Sequence, residues 1–231
     1  MGPGDPELLT VKAVRVIRSV GCLAVPDTGG EKRTALDIVA DYLGDQRIID
    51  CEVPMTRDQS GVDAAMDRNV RAIREELDAG TDVAMVTLGD ATVYSSFFPV
   101  HDRLVALGYE VEVVPGVTSF CAAAARLGMP LCQGNQNLLI VSAAGGADAS
   151  LLDVRANKVF MKAGRALPGL RKELAARGQL EGSSLVCNLG MPDERVYPSL
   201  GDVDGAAGYF SLVLTRDVPT NKVSAEEADH E

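Results

Sequence analysis

The chain has 231 residues, enough for one large domain or two small ones with a real core. Its net charge of −11 argues against a nucleic-acid-binding surface and against anionic membrane, although a local Arg cluster could still receive an anionic small substrate. Hydrophobic residues make up 46% and aromatics only 4%, an Ala/Val/Leu/Gly-rich balance that suits helices packed on a sheet, and no apolar run approaches the ~20 residues of a membrane span.

The chain opens with Gly2-Pro-Gly-Asp-Pro-Glu7, in which Asp5 suits an N-cap and Pro6 a first helical position. Leu8, Leu9, Val11, Val14, Val16 and Ile17 follow at helical spacing. A loop at 26–30 and a helix at about 31–43 lead to a strand at 48–53, which ends in Pro54-Met-Thr-Arg-Asp58. The pattern of Val62, Met66, Val70, Ile73 and Leu77 predicts a long helix over 60–79 with Gly80 as its stop. Arg68, Arg71 and Arg74 read as its solvated face, whereas Arg57, just past a strand, is the better substrate contact.

Val83 to Leu88 is an apolar, β-branched run that reads as a buried strand. It stops at Gly89-Asp90, passes through the polar and aromatic segment 92–96, and enters a helix marked by Phe97, Val100, Leu104 and Leu107. Strand, glycine turn, helix is the arrangement that places ligands at the carboxyl end of a parallel strand. Tyr109 to Val114 alternates like a strand. Pro115-Gly-Val-Thr-Ser119 then turns into an Ala-rich helix over 120–127, stopped by Gly128, with Thr118 or Ser119 able to cap it. Beyond it, strands are predicted at 138–141, 158–161, 185–187 and 209–214, and a helix at 168–177. The reading is an α/β fold of two domains, 1–114 with a parallel sheet and 115–231 with a mixed α/β arrangement and a frayed acidic tail from Asp217.

Five Cys without a C-x-x-C pair disfavour zinc and a disulfide framework, and two His, at 101 and 230, disfavour a Ser-His-Asp or Cys-His catalyst and a metal site. The opening residues lack the basic and apolar parts of a signal peptide, so a reducing cytoplasm is expected. There is no G-x-x-x-x-G-K-[ST] and no G-x-G-x-x-G. What remains is a set of Gly/Pro loops, GPGDPE, LGDATVYS, PGVTS and NLGMPDERV, each at a strand end or helix start. They offer amides, carbonyls and hydroxyls, which serve positioning more than acid–base work. Methyl transfer from a sulfonium needs that, because the donor is already activated and the enzyme aligns it and excludes water.

Gly2-Pro-Gly-Asp-Pro-Glu-Leu-Leu-Thr10, Thr87-Leu-Gly-Asp90 with Tyr94-Ser-Ser96, and Val114-Pro-Gly-Val-Thr-Ser119 resemble, in order and spacing, the motifs of the tetrapyrrole (corrin/porphyrin) methylases. The segments TLGD-x-x-VYSSF, PGVTSFCAAAARLGMPL, PMTRD and YFSLVLTR are most similar to those of the precorrin-2 C20-methyltransferases, and the resemblance covers residues 2 to 216. It implies two α/β domains with the cofactor cleft between them, usually as a homodimer. It also implies S-adenosylmethionine as methyl donor, S-adenosylhomocysteine as its product, and precorrin-2 or cobalt-precorrin-2 as substrate in cobalamin biosynthesis. By motif match, Pro3 closes one side of the cleft, and Leu88, Gly89, Asp90 and Val93 line the donor. Thr118 and Ser119 meet its methionine part, while Met161, Leu189 and Gly190 hold adenosine. Tyr94 and Arg57 face the substrate, whose carboxylates suit an Arg. Asp90 and Tyr94 are the catalytic candidates, with turn formation the competing role of Asp90. Rival readings are another position of attack (precorrin-4 C11 or uroporphyrinogen III) and a donor-binding protein without turnover. Two departures carry expectations. Ala91 stands where the family usually has Pro, which should free the loop. The GPGD loop starts at residue 2, so the strand that feeds it in the family is expected to be missing and the loop loosely held.

Overall fold

In the computed structural model, residues 1–29, 34–56, 58–146 and 148–217 are described. They fall into two units, one of Met1–Arg126 with Asn188–Arg195, the other of Leu127–Cys187 with the residues from Val196 onward. The change of unit therefore lies at Arg126–Leu127 and not at the expected Pro115-Gly116. The helix after PGVTS and the NLGMPDER segment both stay with the first unit, because their backbones pack against its opening loops.

The first unit is built on a parallel sheet in the order β2-β1-β3, with β1 Cys22–Asp27, β2 Arg47–Glu52 and β3 Val83–Met85. The central strand β1 is not among the expected elements, since the helical spacing ends at Ile17 and the next expectation is the loop at 26–30. Its Cys22, Leu23, Ala24 and Val25 are all 0% exposed, so it shows no alternation of polar and apolar residues, as expected of a strand covered on both faces. Leu23 and Val25 pack on one face with Ala13 and Ile17 of α1 (Val11–Ser19) and Ile38 and Val39 of α2 (Thr34–Val39). Ala24 and Cys51 pack on the other with Met66, Val70 and Ile73 of α3 (Gln59–Asp78) and Val100 and Leu104 of α4 (Phe98–Ala106). Burial pushes the Cys51 thiol up to about 11, with Cys22 adding to the shift, so it is an inert packing group. Arg103 ties α4 to α3 through Asp63 (2.9 Å) and Asp67 (3.2 Å).

The expected first helix is broken. Asp5 caps only a 3-10 turn, Pro6–Leu8, and the Thr10 hydroxyl accepts from the Ala13 amide to start α1 afresh. Residues 31–33, at the expected start of the second helix, lie outside the described residues, as does the tail beyond Asp217. Tyr109–Val114 forms no ladder with any described residue and is not a strand.

The second unit carries a five-stranded mixed sheet in the order β4-β5-β8-β6-β7, from β4 Leu138–Ser142, β5 Asn157–Met161, β6 Ser183–Cys187, β7 Arg195–Tyr197 and β8 Ser211–Thr215. β4 and β5 are parallel, while β8 runs antiparallel to β5 and β6. Phe160, Leu185 and Val213 face α6 (Leu167–Ala176) through Leu167, Leu170 and Leu174. The short β7 is absent from the sequence-based expectation.

Because β1 is the one described strand of the first unit with neighbours on both sides, Leu23→Ala should cost about 2–5 kcal/mol in a denaturant melt. Val11→Ala, at a side chain 87% exposed, should stay within about 0.5 kcal/mol.

Candidate active site

Beyond β3 the chain leaves the sheet as Val86-Thr87-Leu88-Gly89-Asp90, with Thr87 buried and Gly89 in the left-handed region at φ +72°. The opening residues lie against this segment. The Met1 amino group donates to the Gly89 carbonyl (3.0 Å), and the Gly89 amide donates to the Gly2 carbonyl (3.1 Å). The Val117 amide donates in turn to the Met1 carbonyl (3.2 Å), and the Thr10 hydroxyl to the Pro115 carbonyl (3.3 Å). Residues 1–4 are all buried. The expectation of a loosely held GPGD loop is therefore corrected: backbone bonds on two sides grip it.

Close approach of main chains requires glycine at these crossings. A Cβ on Gly116 would lie 2.2 Å from the Met1 carbonyl oxygen and 2.3 Å from that of Gly89. One on Gly4 would lie 1.9 Å from the Leu189 carbonyl oxygen, and one on Gly190 2.4 Å from the Asp5 nitrogen. Four loops far apart in sequence thus meet within the first unit: GPGD, LGD, PGVTS and the Leu189-Gly190 turn.

Asp90 joins two of them. Its carboxylate accepts from the Gly116 amide (2.8 Å), the Thr92 amide (2.8 Å) and the Thr92 hydroxyl. Burial works to raise its pKa, but the Thr92 hydroxyl, the amides of Gly116 and Thr92 and the Met1 ammonium together hold it below the ordinary carboxylate value. A carboxylate so occupied is a poor proton acceptor at neutral pH, so the geometry favours the turn-fixing role of Asp90 over the catalytic one. The same contacts stiffen the loop that Ala91 was expected to free, helped by the Ser95 hydroxyl on the Ala91 carbonyl (2.6 Å).

Tyr94 follows at φ +48°, a conformation costly for a bulky side chain, and is 46% exposed. Strain of this kind clusters at functional sites. Thr118 precedes α5, Ser119–Arg126, and its hydroxyl oxygen is buried with no hydrogen-bond partner among the described residues. A buried hydroxyl left this way costs about 1–3 kcal/mol. The first-turn amides of α5 beside it have no acceptor within the helix.

Of the expected donor contacts, Pro3, Leu88, Gly89, Asp90, Val93, Thr118, Ser119, Leu189 and Gly190 all belong to the first unit. Met161 belongs to the second, at the end of β5, where its carbonyl accepts from the Ala143 amide (2.8 Å). Arg57 lies outside the described residues. Gly4, Gly116 and Glu194 were not singled out from sequence. The glycines were legible only as members of their motifs, and Glu194 only as the acid of PDER.

The family model for Tetrapyrrole (Corrin/Porphyrin) Methylases matches residues 1–204. The chain belongs to this family. It is 36% identical over 220 residues to the cobalt-precorrin-2 C(20)-methyltransferase of Salmonella typhimurium, covering 92% of both chains. It is 33% identical over 225 residues to the precorrin-2 C(20)-methyltransferase of a Sinorhizobium species, covering 92% of this chain and 91% of the relative. Among solved structures it is similar to the uroporphyrin-III C-methyl transferase from Thermus thermophilus complexed with S-adenyl homocysteine. That match has a TM-score of 0.65 and 25% identity and covers 94% of each chain.

Two outcomes are expected. Gly116→Ala should destabilise the protein by about 1–3 kcal/mol or more, since only backbone can give way. The lowered pKa of Asp90 means that its contribution to stability is present at neutral pH, above the unfolded-state value, and is lost as the pH falls through the depressed folded value. Asp90→Asn should therefore lower the melting temperature at pH 7 and weaken the dependence of stability on pH in the acid limb, as read by melts from pH 7 to 3.

Proposed function

We propose that this protein transfers a methyl group from S-adenosylmethionine to C20 of precorrin-2, or of its cobalt form, in corrin-ring synthesis, acting as a homodimer in the cytoplasm. The observation that carries the reading is the end-to-end similarity to a cobalt-precorrin-2 C(20)-methyltransferase, 92% of both chains at 36% identity. The loop junction supports it, because it offers what a sulfonium donor requires and little else.

The donor supplies a methyl group on positively charged sulfur and leaves as S-adenosylhomocysteine. The protein's work is to hold it in line with the nucleophilic carbon and to exclude water. Gly89 brings main chain close without a Cβ, and Leu88 and Val93 supply apolar surface. The first-turn amides of α5, at the positive end of its dipole, suit the carboxylate of the methionine part, and Thr118 and Ser119 add hydroxyls there. The unpartnered Thr118 hydroxyl fits such a ligand, since a polar atom of the donor would satisfy it. Leu189 and Gly190 take the adenosine, and Pro3 covers one side. Tyr94, exposed and strained, is the substrate-side residue, with Arg57 recognising carboxylates of the macrocycle. Asp90 keeps the LGD and PGV loops in register.

Incubation with S-adenosylmethionine should add one methyl mass to precorrin-2 or cobalt-precorrin-2, with NMR placing it at C20. Methylation of uroporphyrinogen III instead, or none at all, would overturn the assignment. Thr118→Val should raise the melting temperature of the free protein, because it removes a buried unpaired hydroxyl, while weakening S-adenosylhomocysteine binding several-fold in calorimetry. Gly89→Val, which forces a β-branched residue to φ +72°, should weaken it more. Unchanged affinity in a folded Gly89→Val protein would remove this loop from the donor site.

A further inference from the structure

The Leu189-Gly190 turn has a side-chain anchor, Glu194. Residues 188–194 form a compact loop in which the Met191 amide donates to the Asn188 carbonyl and the Glu194 amide to the Met191 carbonyl, both at 3.0 Å. Asn188 and Gly190 both take positive φ, +51° and +72°, so the loop holds two residues in conformations the chain does not adopt by default. One side of the turn touches the GPGD loop main chain to main chain, with room for no Cβ at Gly4 or Gly190.

On the other side stands Glu194. One carboxylate oxygen accepts from the Gly190 amide at 2.7 Å, and the other accepts from the Arg126 Nε at 2.6 Å. Its side chain is only 19% exposed, whereas Arg126 is 57% exposed. Arg126 is the last residue of α5, the helix that begins at Ser119. The carboxylate therefore bolts the turn to the far end of the helix whose near end carries Thr118 and Ser119. An exposed surface pair would contribute little and touch nothing of function. This one is charge-assisted, largely buried on the acid side, and bonded directly to the amide of a proposed donor-contacting residue.

We propose that Glu194 is a positioning residue for methyl-donor binding, fixing the Leu189-Gly190 turn through the Gly190 amide, with Arg126 orienting its carboxylate. This rests on the reading that the turn contacts the donor. Without the carboxylate the Gly190 amide loses its acceptor, and two positive-φ residues are left to relax away from the GPGD loop. A glutamine keeps an acceptor for Gly190 but loses the charge that Arg126 holds.

The test combines amide exchange with binding and kinetics. In the unaltered protein, S-adenosylhomocysteine should slow exchange of the amides of 188–191. Glu194→Ala should then raise the Kd for S-adenosylhomocysteine and the KM for S-adenosylmethionine about ten- to a hundredfold, with the KM for the tetrapyrrole and kcat at saturating donor nearly unchanged. Glu194→Gln should fall between Ala and the unaltered protein. Arg126→Ala should cost less than Glu194→Ala and add little in the double variant, because both act through one contact. Should Glu194→Ala fail to fold, Glu194→Gln decides alone. Ligand protection at 188–191 with donor affinity unchanged in the folded variants would refute the positioning role and leave the site standing. No protection at 188–191 would overturn both. An equal rise in both KM values with a fall in kcat would mark a general structural role and also refute the proposal.

Discussion

Main chain packed directly against main chain is the constraint on which this site depends. Where Met1, Gly89 and Gly116 meet, two carbonyl oxygens would lie within 2.3 Å of any Cβ on Gly116, so side chains are excluded from the junction. Backbone groups brought so close must be paired, and they are: Gly89 donates to Gly2, Met1 to Gly89, and Val117 to Met1. The Asp90 carboxylate closes the set by accepting from Gly116 across the gap. No part of this lattice can slide alone, which gives a rigid floor to loops that have little secondary structure of their own.

That rigidity fits the chemistry proposed. A sulfonium donor needs no strong base or metal at the transferring carbon. It needs an accurate line of approach, and fixed amides and dipoles provide one without reorganisation during the reaction. The parallel sheet fixes where the junction forms. The buried centre strand β1 holds β3, and β3 ends at Met85, just before Thr87-Leu-Gly-Asp90. α5 then relates two other parts of the site, with Thr118 and Ser119 at its start and Arg126 on Glu194 at its end.

Legibility followed the range of the forces involved. Gly89, Gly128, Gly178 and Gly190 mark left-handed turns that the local sequence announces, and the motifs around them were readable for that reason. The second unit's four principal strands were readable too, as short apolar runs between turn residues. β1 was not. Its four fully buried residues do not alternate, and Pro26 reads as a break. In the structure Pro26 pairs only with β2, since pairing with β3 has already stopped at Ala24, so its missing amide is tolerated. Tyr109–Val114 alternates as a strand should, yet no described residue pairs with it, and a pattern alone does not make a ladder. The grip on the GPGD loop and the bond from Arg126 to Glu194 come from residues far apart in the chain, and nothing local encodes them.

The proposed function requires the methyl donor to sit at the loop junction of the first unit. A crystal structure of the protein soaked with S-adenosylhomocysteine tests it most directly. Ligand density is expected against Gly89, with the Thr118 hydroxyl now hydrogen-bonded to it and the Leu189-Gly190 turn in contact with its adenosine. Density elsewhere on the protein, or a bound ligand that leaves the Thr118 hydroxyl unpaired and touches neither glycine, would contradict it.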